Sequence, residues 1–179
     1  MSGFLANVGL WQTLYGLEKA LSGVLAPLGV PLSPVLVSGG VAGPGLYNLP
    51  DLTPVTTEAV TYAAGGAPVQ DTYTGITLHD LLDAAGGALV TDAKNDILSK
   101  FVVATGADGY QAAFSLGEID PKFGGQPVLV AYSDAAGQLG PKGSEGLARM
   151  VVPGDHAGGR YVSDLVDLRV VDLTAPVAG

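Results

Sequence analysis

Near the N-terminus, apolar residues recur with a helical period. Spacings of four and three separate the successive members of this set, which places them along one side of a helix that ends before Pro27. The members are Leu10, Leu14, Leu17, Leu21 and Val24. We therefore expect residues 1–33 to form an amphipathic helical arm. Its apolar side either packs on the rest of the chain or joins two copies into a homo-oligomer.

The remainder of the chain alternates short apolar runs with turn residues. Runs of this kind, bounded by Gly, Pro or Asp, predict strands. They cover residues 34–41, 59–64, 101–104, 110–114, 128–132, 147–152 and 166–173. The last run opens with strict alternation, which predicts one buried and one solvated face. Its expected buried side carries Val166, Leu168 and Val170, and its expected wet side carries Asp167 and Arg169.

One helix is marked by signals at both of its ends. Thr77 precedes an apolar pattern and is followed three residues later by Asp80, an arrangement that satisfies free N–H groups at a helix start. Gly86 and Gly87 supply a left-handed stop. The residues expected to face inward are Leu78, Leu81, Leu82 and Ala85. A second helical start is predicted at Ser115, with Glu118 three residues on.

The composition favours a sheet-containing domain. The 179 residues include 27 glycines and 12 prolines, which indicates many tight turns between short elements. Hydrophobic residues make up 47% of the chain, enough for a sizeable core. We predict a mixed α/β fold for residues 34–179, with mixed sheets and short helices, preceded by the helical arm. No repeat or change in composition divides this domain further.

Charge and cysteine content exclude several classes of function. The formal net charge is −9, and only eight Lys and Arg residues are present, so no nucleic-acid partner is expected. Polar residues interrupt the apolar N-terminal segment, so membrane insertion is not expected. No intact signal peptide is expected either, because Lys19 is the first basic residue and the positively charged start of such a peptide is missing. The chain has no cysteine, and disulfides, thiolate metal sites and cysteine nucleophiles are therefore ruled out. These features describe an acidic, soluble, cysteine-free domain.

Familiar catalytic motifs are missing. The glycines at 39, 40, 43 and 45 have neither the order nor the following helix of a dinucleotide-binding turn, and the P-loop pattern does not occur. No G-x-S-x-G elbow is present. His79 and His156 are the two histidines, too few for a zinc site without added carboxylates. We predict no catalytic residue and no metal ligand.

The segment 153–160 is the best candidate for binding a small anion. Its turn glycines, Gly158 among them, allow backbone N–H groups to converge, and His156 lies in the same turn. Arg149 and Arg160 flank it, and a guanidinium can bind an oxyanion through two parallel hydrogen bonds. The alternative is an ordinary loop with two surface arginines.

Five motifs follow one another along the chain in a consistent order. They are residues 74–82 (TGITLHDLL) with 85–86 (AG), 108–110 (DGY), 114–118 (FSLGE), 128–132 (VLVAY) and 146–154 (GLARMVVPG). Together they resemble the tG-x-x-L-x-x-L-L-x-x-aG, DGY, s-l-x-E, v-L-A-y and G-x-x-R-l-v-v-P-g segments of the molybdopterin-binding domain of sulfite-oxidase-type enzymes. The resemblance covers residues 35–173.

That resemblance implies a sulfite-oxidase-like fold and molybdopterin as the cofactor. It also implies that Arg149, His156, Gly158 and Arg160 contact the phosphate of the pterin or an oxyanion. By the same analogy Asp108 and Tyr110 approach this pocket, although both residues also suit a turn that serves only the fold.

The chain departs from the family in two places. The family has a metal-ligating cysteine shortly before its tG motif, whereas this position falls within residues 62–64 here, where Tyr62 and Ala63 stand. A Tyr62 phenolate would be costly near neutrality, because an unperturbed tyrosine has a pKa of about 10. The family's V-K-W after the final glycine turn is also replaced, by residues 161–164 (YVSD).

Three functional hypotheses remain open. In the first, the chain is a degenerate module that binds a pterin or another small anion without oxygen-atom transfer. In the second, it is a molybdenum-cofactor oxidoreductase in which the dithiolene alone, with Tyr62 or water, holds the metal. In the third, it is a structural or assembly protein with a vestigial pocket. Members of the family are often exported, so the resemblance favours a periplasmic or secreted location. A cytoplasmic location stays open.

Overall fold

The computed structural model of the chain describes residues 31–62, 68–140 and 146–174, together with the single positions Ala20 and Val24. Within residues 31–62, 68–140 and 146–174, ten strands form two sheets of five, and two short α-helices accompany them. The mixed α/β class predicted above is therefore confirmed. Most of the expected helix within residues 1–33 lies outside the described residues.

The first sheet contains both the first and the last strand of the described residues. Its order is β2-β1-β10-β5-β6, in which β1 and β10 run parallel and every other neighbouring pair runs antiparallel. The strands are β1 (Pro34–Gly39), β2 (Gly45–Asn48), β5 (Lys100–Gly106), β6 (Gln111–Ser115) and β10 (Leu165–Asp172). The C-terminal strand therefore lies in the middle of this sheet.

The second sheet is antiparallel and has β7 at its branch point. Its order is β3-β4-β7-β8, and β9 also pairs with β7. The strands are β3 (Val55–Tyr62), β4 (Pro68–Thr77), β7 (Leu129–Asp134), β8 (Gly137–Gln138) and β9 (Arg149–Val151). Gly75 permits β4 to approach β7, because a Cβ at this position would overlap the backbone of Val130 and Ala131.

The two α-helices begin where the sequence signals place them. Helix α1 (Leu78–Ala84) starts after Thr77, whose hydroxyl accepts a hydrogen bond of 3.0 Å from the Asp80 amide. The helix ends before Gly86 and Gly87, which have φ values of 78° and 81°. Helix α2 (Leu116–Ile119) is a single turn capped by Ser115. The described part of the chain also has 3-10 turns at Leu49–Asp51, Asp96–Ser99 and Gly158–Arg160.

A single core unites the sheets and helices. Alternate residues of the first sheet point into it, among them Val35 and Val37 of β1 and Val102 of β5, none of which is exposed. Leu78, Leu81 and Leu82 of α1 join the same cluster, as do Leu129 to Ala131 of β7. The inward positions predicted for α1 are confirmed.

Each predicted strand overlaps a strand of the structure, but the sequence analysis missed some strands. Strands β2, β4 and β8 went unrecognised, because β2 directly follows a glycine-rich turn, polar residues interrupt the apolar positions of β4, and β8 has only two residues. In β10 the register with β5 shifts between Leu165 and Asp167. This bulge makes Leu165 the buried residue and leaves Val166 partly exposed, so the expected inward position of Val166 was wrong.

A buried lysine ties the end of β10 to the start of β5. The ammonium of Lys100 lies 2.6 Å from a carboxylate oxygen of Asp172 and 3.0 Å from one of Asp96, and its side chain is 2% exposed. The hydrogen bond from Lys100 lowers the pKa of Asp172 far below its usual value. The opposite holds for Asp167 in the same strand, where burial raises the pKa of the carboxyl group.

These opposite pKa shifts predict opposite effects of two matched substitutions. Asp172→Asn is expected to lower the free energy of unfolding at about pH 7, because it removes the partner of a buried cation. The folded-state pKa of Asp172 is lowered, so this stabilisation is present above the usual carboxyl pKa of 3.8 and is lost as the pH falls below it. Urea unfolding at about pH 7 and about pH 3 measures both effects.

Asp167→Asn serves as the matched control. Its folded-state pKa is raised, so ionisation costs stability near neutrality, and the substitution is expected to raise the free energy of unfolding there. This gain in the free energy of unfolding should disappear at low pH, where Asp167 is protonated and both it and its Asn replacement are uncharged. Equal losses for the two variants at neutral pH would contradict the assignment.

Candidate functional site

The turn between β5 and β6 meets the bend at residues 153–160. The phenol of Tyr110 donates a hydrogen bond of 2.6 Å to the carbonyl oxygen of Gly159. A second link lies beside it, where the amide of Ala107 donates to the carbonyl of Asp164 at 2.8 Å. Two motifs that are about 50 residues apart in the sequence therefore form one corner of the molecule, which we call the tyrosine corner.

The β5–β6 turn is built by local hydrogen bonds. A carboxylate oxygen of Asp108 accepts from the Tyr110 amide at 2.9 Å, and the Gly106 amide donates to the Tyr110 carbonyl, also at 2.9 Å. Gly109 has a φ of 85°, which few other residues adopt at low cost. The Tyr110 side chain is 50% exposed although its hydroxyl group is held. The corner thus presents a fixed aromatic ring to solvent.

The bend at 153–160 is held from within. Gly154 has a φ of 93°, and the amide of Asp155 donates to the carbonyl of Val152 at 3.2 Å. The buried phenol of Tyr161 donates to the same carbonyl at 2.7 Å. Both bonds end on the carbonyl of Val152, which directly follows β9, so this carbonyl joins the start of the bend to Tyr161 at its end.

Arg160 is engaged by two carboxylates. Its Nε and Nη2 donate to the two oxygens of Asp155 at 2.9 and 2.6 Å, and its Nη1 donates to Glu118 of α2 at 2.6 Å. The guanidinium carbon also lies 5.4 Å from the centre of the Phe114 ring. These bonds, with that of Asp155 the strongest influence, raise the pKa of Arg160 still further above its ordinary value. The local charge is negative, since one guanidinium faces two carboxylates.

Arg149 occupies a different environment. It lies in β9 and is 5% exposed, and its guanidinium carbon is 5.6 Å from the ring centre of Tyr73 and 5.9 Å from that of Tyr161. It is therefore a core residue that stacks between aromatic rings. Arg149 therefore lies beside the rings of Tyr73 and Tyr161, whereas Arg160 binds Asp155 and Glu118 at the bend.

The remaining candidates divide into residues at the corner and residues elsewhere. His156 is exposed and Gly158 partly exposed, both within the bend. Asp108 is exposed in the turn beside it. Tyr62 ends β3, where its backbone pairs with Pro68. Ala63 lies outside the described residues.

Sequence reasoning missed the partners of Arg160. Asp155 stands five residues before it and offered a local signal, namely an acidic residue within the presumed anion cradle. Glu118 gave no such signal, because 42 residues separate it from Arg160 and only the packing of α2 against the bend brings them together.

A cavity is lined by residues other than those of the tyrosine corner. It has a volume of about 210 Å³ and is lined by apolar residues of both helices, with His79, Asp83 and Asp120 at its polar edge. The imidazole Nε2 of His79 is 3.6 Å from a carboxylate oxygen of Asp83. The side chain of His79 is 33% exposed.

The sequence matches no protein-family model, and no curated protein matches it. Within residues 31–62, 68–140 and 146–174, no helix has the length and apolar character needed to cross a membrane. In the same described ranges, no three His, Asp or Glu side chains are grouped closely enough to hold a metal ion.

The geometry around Arg160 predicts unequal couplings. Double-mutant cycles with Arg160→Met, Asp155→Asn and Glu118→Gln are expected to show a coupling with Asp155 on the order of 1 kcal/mol and a smaller one with Glu118. The reason is that Asp155 accepts two parallel bonds and Glu118 accepts one, while exposure of all three side chains screens both pairs. Urea unfolding of the single and double variants measures the couplings. A larger coupling with Glu118 would contradict this account.

Proposed function

We propose that the chain is a binding module with the architecture of the sulfite-oxidase-type molybdopterin-binding domain, and that it binds a pterin or a similar small planar molecule without oxygen-atom transfer. The observation that supports this proposal is the hydrogen bond of 2.6 Å between Tyr110 and Gly159. It joins the DGY turn to the glycine-rich bend, as a shared pocket between these two motifs requires.

The chemistry of the corner suits a planar ring. An aromatic side chain that is half exposed and held at its hydroxyl group offers a stacking surface, and it loses little conformational freedom when a ligand binds. The exposed carboxylate of Asp108 adjoins this ring in the sequence and accepts hydrogen bonds only. A pterin presents a flat heteroaromatic face and adjacent N–H donors on one edge, which match these two groups.

The same geometry disfavours a phosphate at the corner. Arg160 already donates to Asp155 and Glu118, so a bound anion would compete with two carboxylates for one guanidinium. The net charge of −9 adds long-range repulsion. We therefore propose that the pterin ring, and not an anionic group, is what the corner recognises.

The proposed absence of oxygen-atom transfer rests on the chemistry of the chain's side chains. A soft thiolate is the protein ligand that the family uses for molybdenum, and this chain contains no cysteine. The phenol of Tyr62 is a hard oxygen donor with an ordinary pKa of about 10, and it does not replace a thiolate near neutrality. The residues present do not fit the metal, and no step through it follows from them.

Titration with free pterin, followed by the ligand's own fluorescence, tests the proposal. Stacking on Tyr110 is expected to quench the emission in a saturable way. Tyr110→Ala is expected to weaken binding by about tenfold or more, because a stacking side chain contributes about 1–3 kcal/mol. Tyr110→Phe keeps the ring and removes its tether, and a smaller loss is expected.

Tyr47 provides a matched control, because its phenol also donates to a glycine carbonyl, that of Gly43, at 2.7 Å. Tyr47→Phe should therefore leave pterin binding unchanged. Equal losses for Tyr47→Phe and Tyr110→Phe, or no saturable quenching at all, would contradict the proposal. Stoichiometric molybdenum in protein from a molybdenum-supplied host would instead support the oxidoreductase hypothesis.

A further inference from the structure

The cavity lined by both α-helices combines buried apolar side chains with exposed acidic ones. Its apolar lining consists of Leu82, Ala88, Val90, Ile97, Leu116 and Ile119. Asp83, Asp120 and His79 also line it. Leu116 and Ile119 are 2% and 3% exposed, whereas the side chain of Asp83 is 65% exposed. A ligand in this cavity would therefore meet buried apolar groups next to a carboxylate that faces solvent.

Hydrogen bonds hold the segments around the cavity in place. The Leu89 amide donates to the carbonyl of Gly40 at 2.8 Å, which ties the segment after α1 to the residue that follows β1. A carboxylate oxygen of Asp96 accepts from the Thr91 amide at 2.7 Å and lies 3.0 Å from the ammonium of Lys100. These bonds fix the 3-10 turn that carries Ile97. Because the walls are held in place without a ligand, binding should cost little conformational freedom.

The size of the cavity limits its ligand to one small ring. The volume of the cavity is about 210 Å³. An apolar cavity of about 150 Å³ is enough to hold a benzene molecule. This cavity therefore has room for one six-membered carbon ring with a short polar substituent, and such a ring would gain free energy by leaving water for the apolar lining.

The charge of the lining selects a cationic substituent. Among the described residues that line the cavity, Asp83 and Asp120 are acidic and none is Lys or Arg. The net charge of −9 also attracts cations at long range and repels anions. An ionised carboxylate only accepts hydrogen bonds, and an ammonium group only donates them. Asp120 accepts from the Lys122 amide at 2.7 Å, and a carboxylate has further acceptor positions for a ligand.

We propose that this cavity binds a small primary ammonium compound that carries one hydrocarbon ring. The ring packs on Leu82, Leu116 and Ile119, and the ammonium group donates hydrogen bonds to the carboxylates of Asp83 and Asp120. This site is independent of the function proposed for the tyrosine corner, because the described residues that line the cavity include none from that corner.

Three probes that share a ring and differ in charge test the proposal. Benzylammonium, benzyl alcohol and benzoate are titrated into the full-length protein, and the methyl resonances of Leu82, Ile97, Leu116 and Ile119 are followed by NMR. Benzylammonium is expected to shift these resonances in a saturable way and to bind about fivefold more tightly than benzyl alcohol, because a solvated ion pair adds up to about that factor. Benzoate is expected to bind more weakly than either. No saturable shift with benzylammonium, or an affinity for benzoate or benzyl alcohol that equals it, would overturn the proposal.

Matched substitutions separate the local carboxylates from the overall charge. Asp83→Asn and Asp120→Asn are each expected to weaken benzylammonium binding by about two- to fivefold and to leave benzyl alcohol binding unchanged. Asn at position 120 can still accept the bond from the Lys122 amide. Asp51→Asn makes the same change in net charge at an exposed carboxylate that does not line the cavity, so it should leave benzylammonium binding unchanged. Equal losses for Asp51→Asn and Asp120→Asn would contradict the proposed site.

A substitution that fills the cavity tests the place of the ring. Ala88→Phe puts a large side chain into the lining and is expected to abolish the binding of both benzylammonium and benzyl alcohol. A folded Ala88→Phe protein that still binds either probe with unchanged affinity would overturn the proposal. If this variant does not fold, the three probes and the two carboxylate variants decide the question.

Discussion

The position of β10 between β1 and β5 determines the arrangement of the rest of the molecule. The parallel pairing of β1 with β10 joins the two ends of the domain, and the segment before β10 then links the sheets. Two of these links are the amide of Met150 donating to the carbonyl of Val162 at 2.9 Å and the amide of Leu165 donating to that of Ala148, also at 2.9 Å. This segment directly follows the bend at 153–160, so its position places the bend beside the β5–β6 turn.

The charged side chains at the tyrosine corner bind one another and so stabilise the fold. Arg160 joins its own bend to α2 through Asp155 and Glu118, and Phe114 lies beneath its guanidinium. Arg160, which the sequence analysis proposed as an anion-binding residue, thereby stabilises the conformation of the corner. The group left facing solvent is an aromatic ring, which is why the proposed ligand is a planar molecule.

The sequence by itself determined the features that depend on neighbouring residues. Thr77 and Asp80 located the start of α1, and Gly86 and Gly87 located its end. Short apolar runs between turn residues located β1, β5 and β7, and alternation located most of β10. These signals work because a helix cap, a left-handed stop and a strand face each involve residues only a few positions apart.

Only the tertiary structure decided the features that depend on distant residues. It placed β10 beside β1, shifted the register of β10 at Leu165, and paired Arg160 with Glu118 across 42 positions. Local pattern cannot encode such pairings, because the free energy of a strand register or an ion pair depends on which distant surface the packed core brings into contact. Motifs in the sequence therefore identified residues of the tyrosine corner, and the fold determined which contacts each of them makes there.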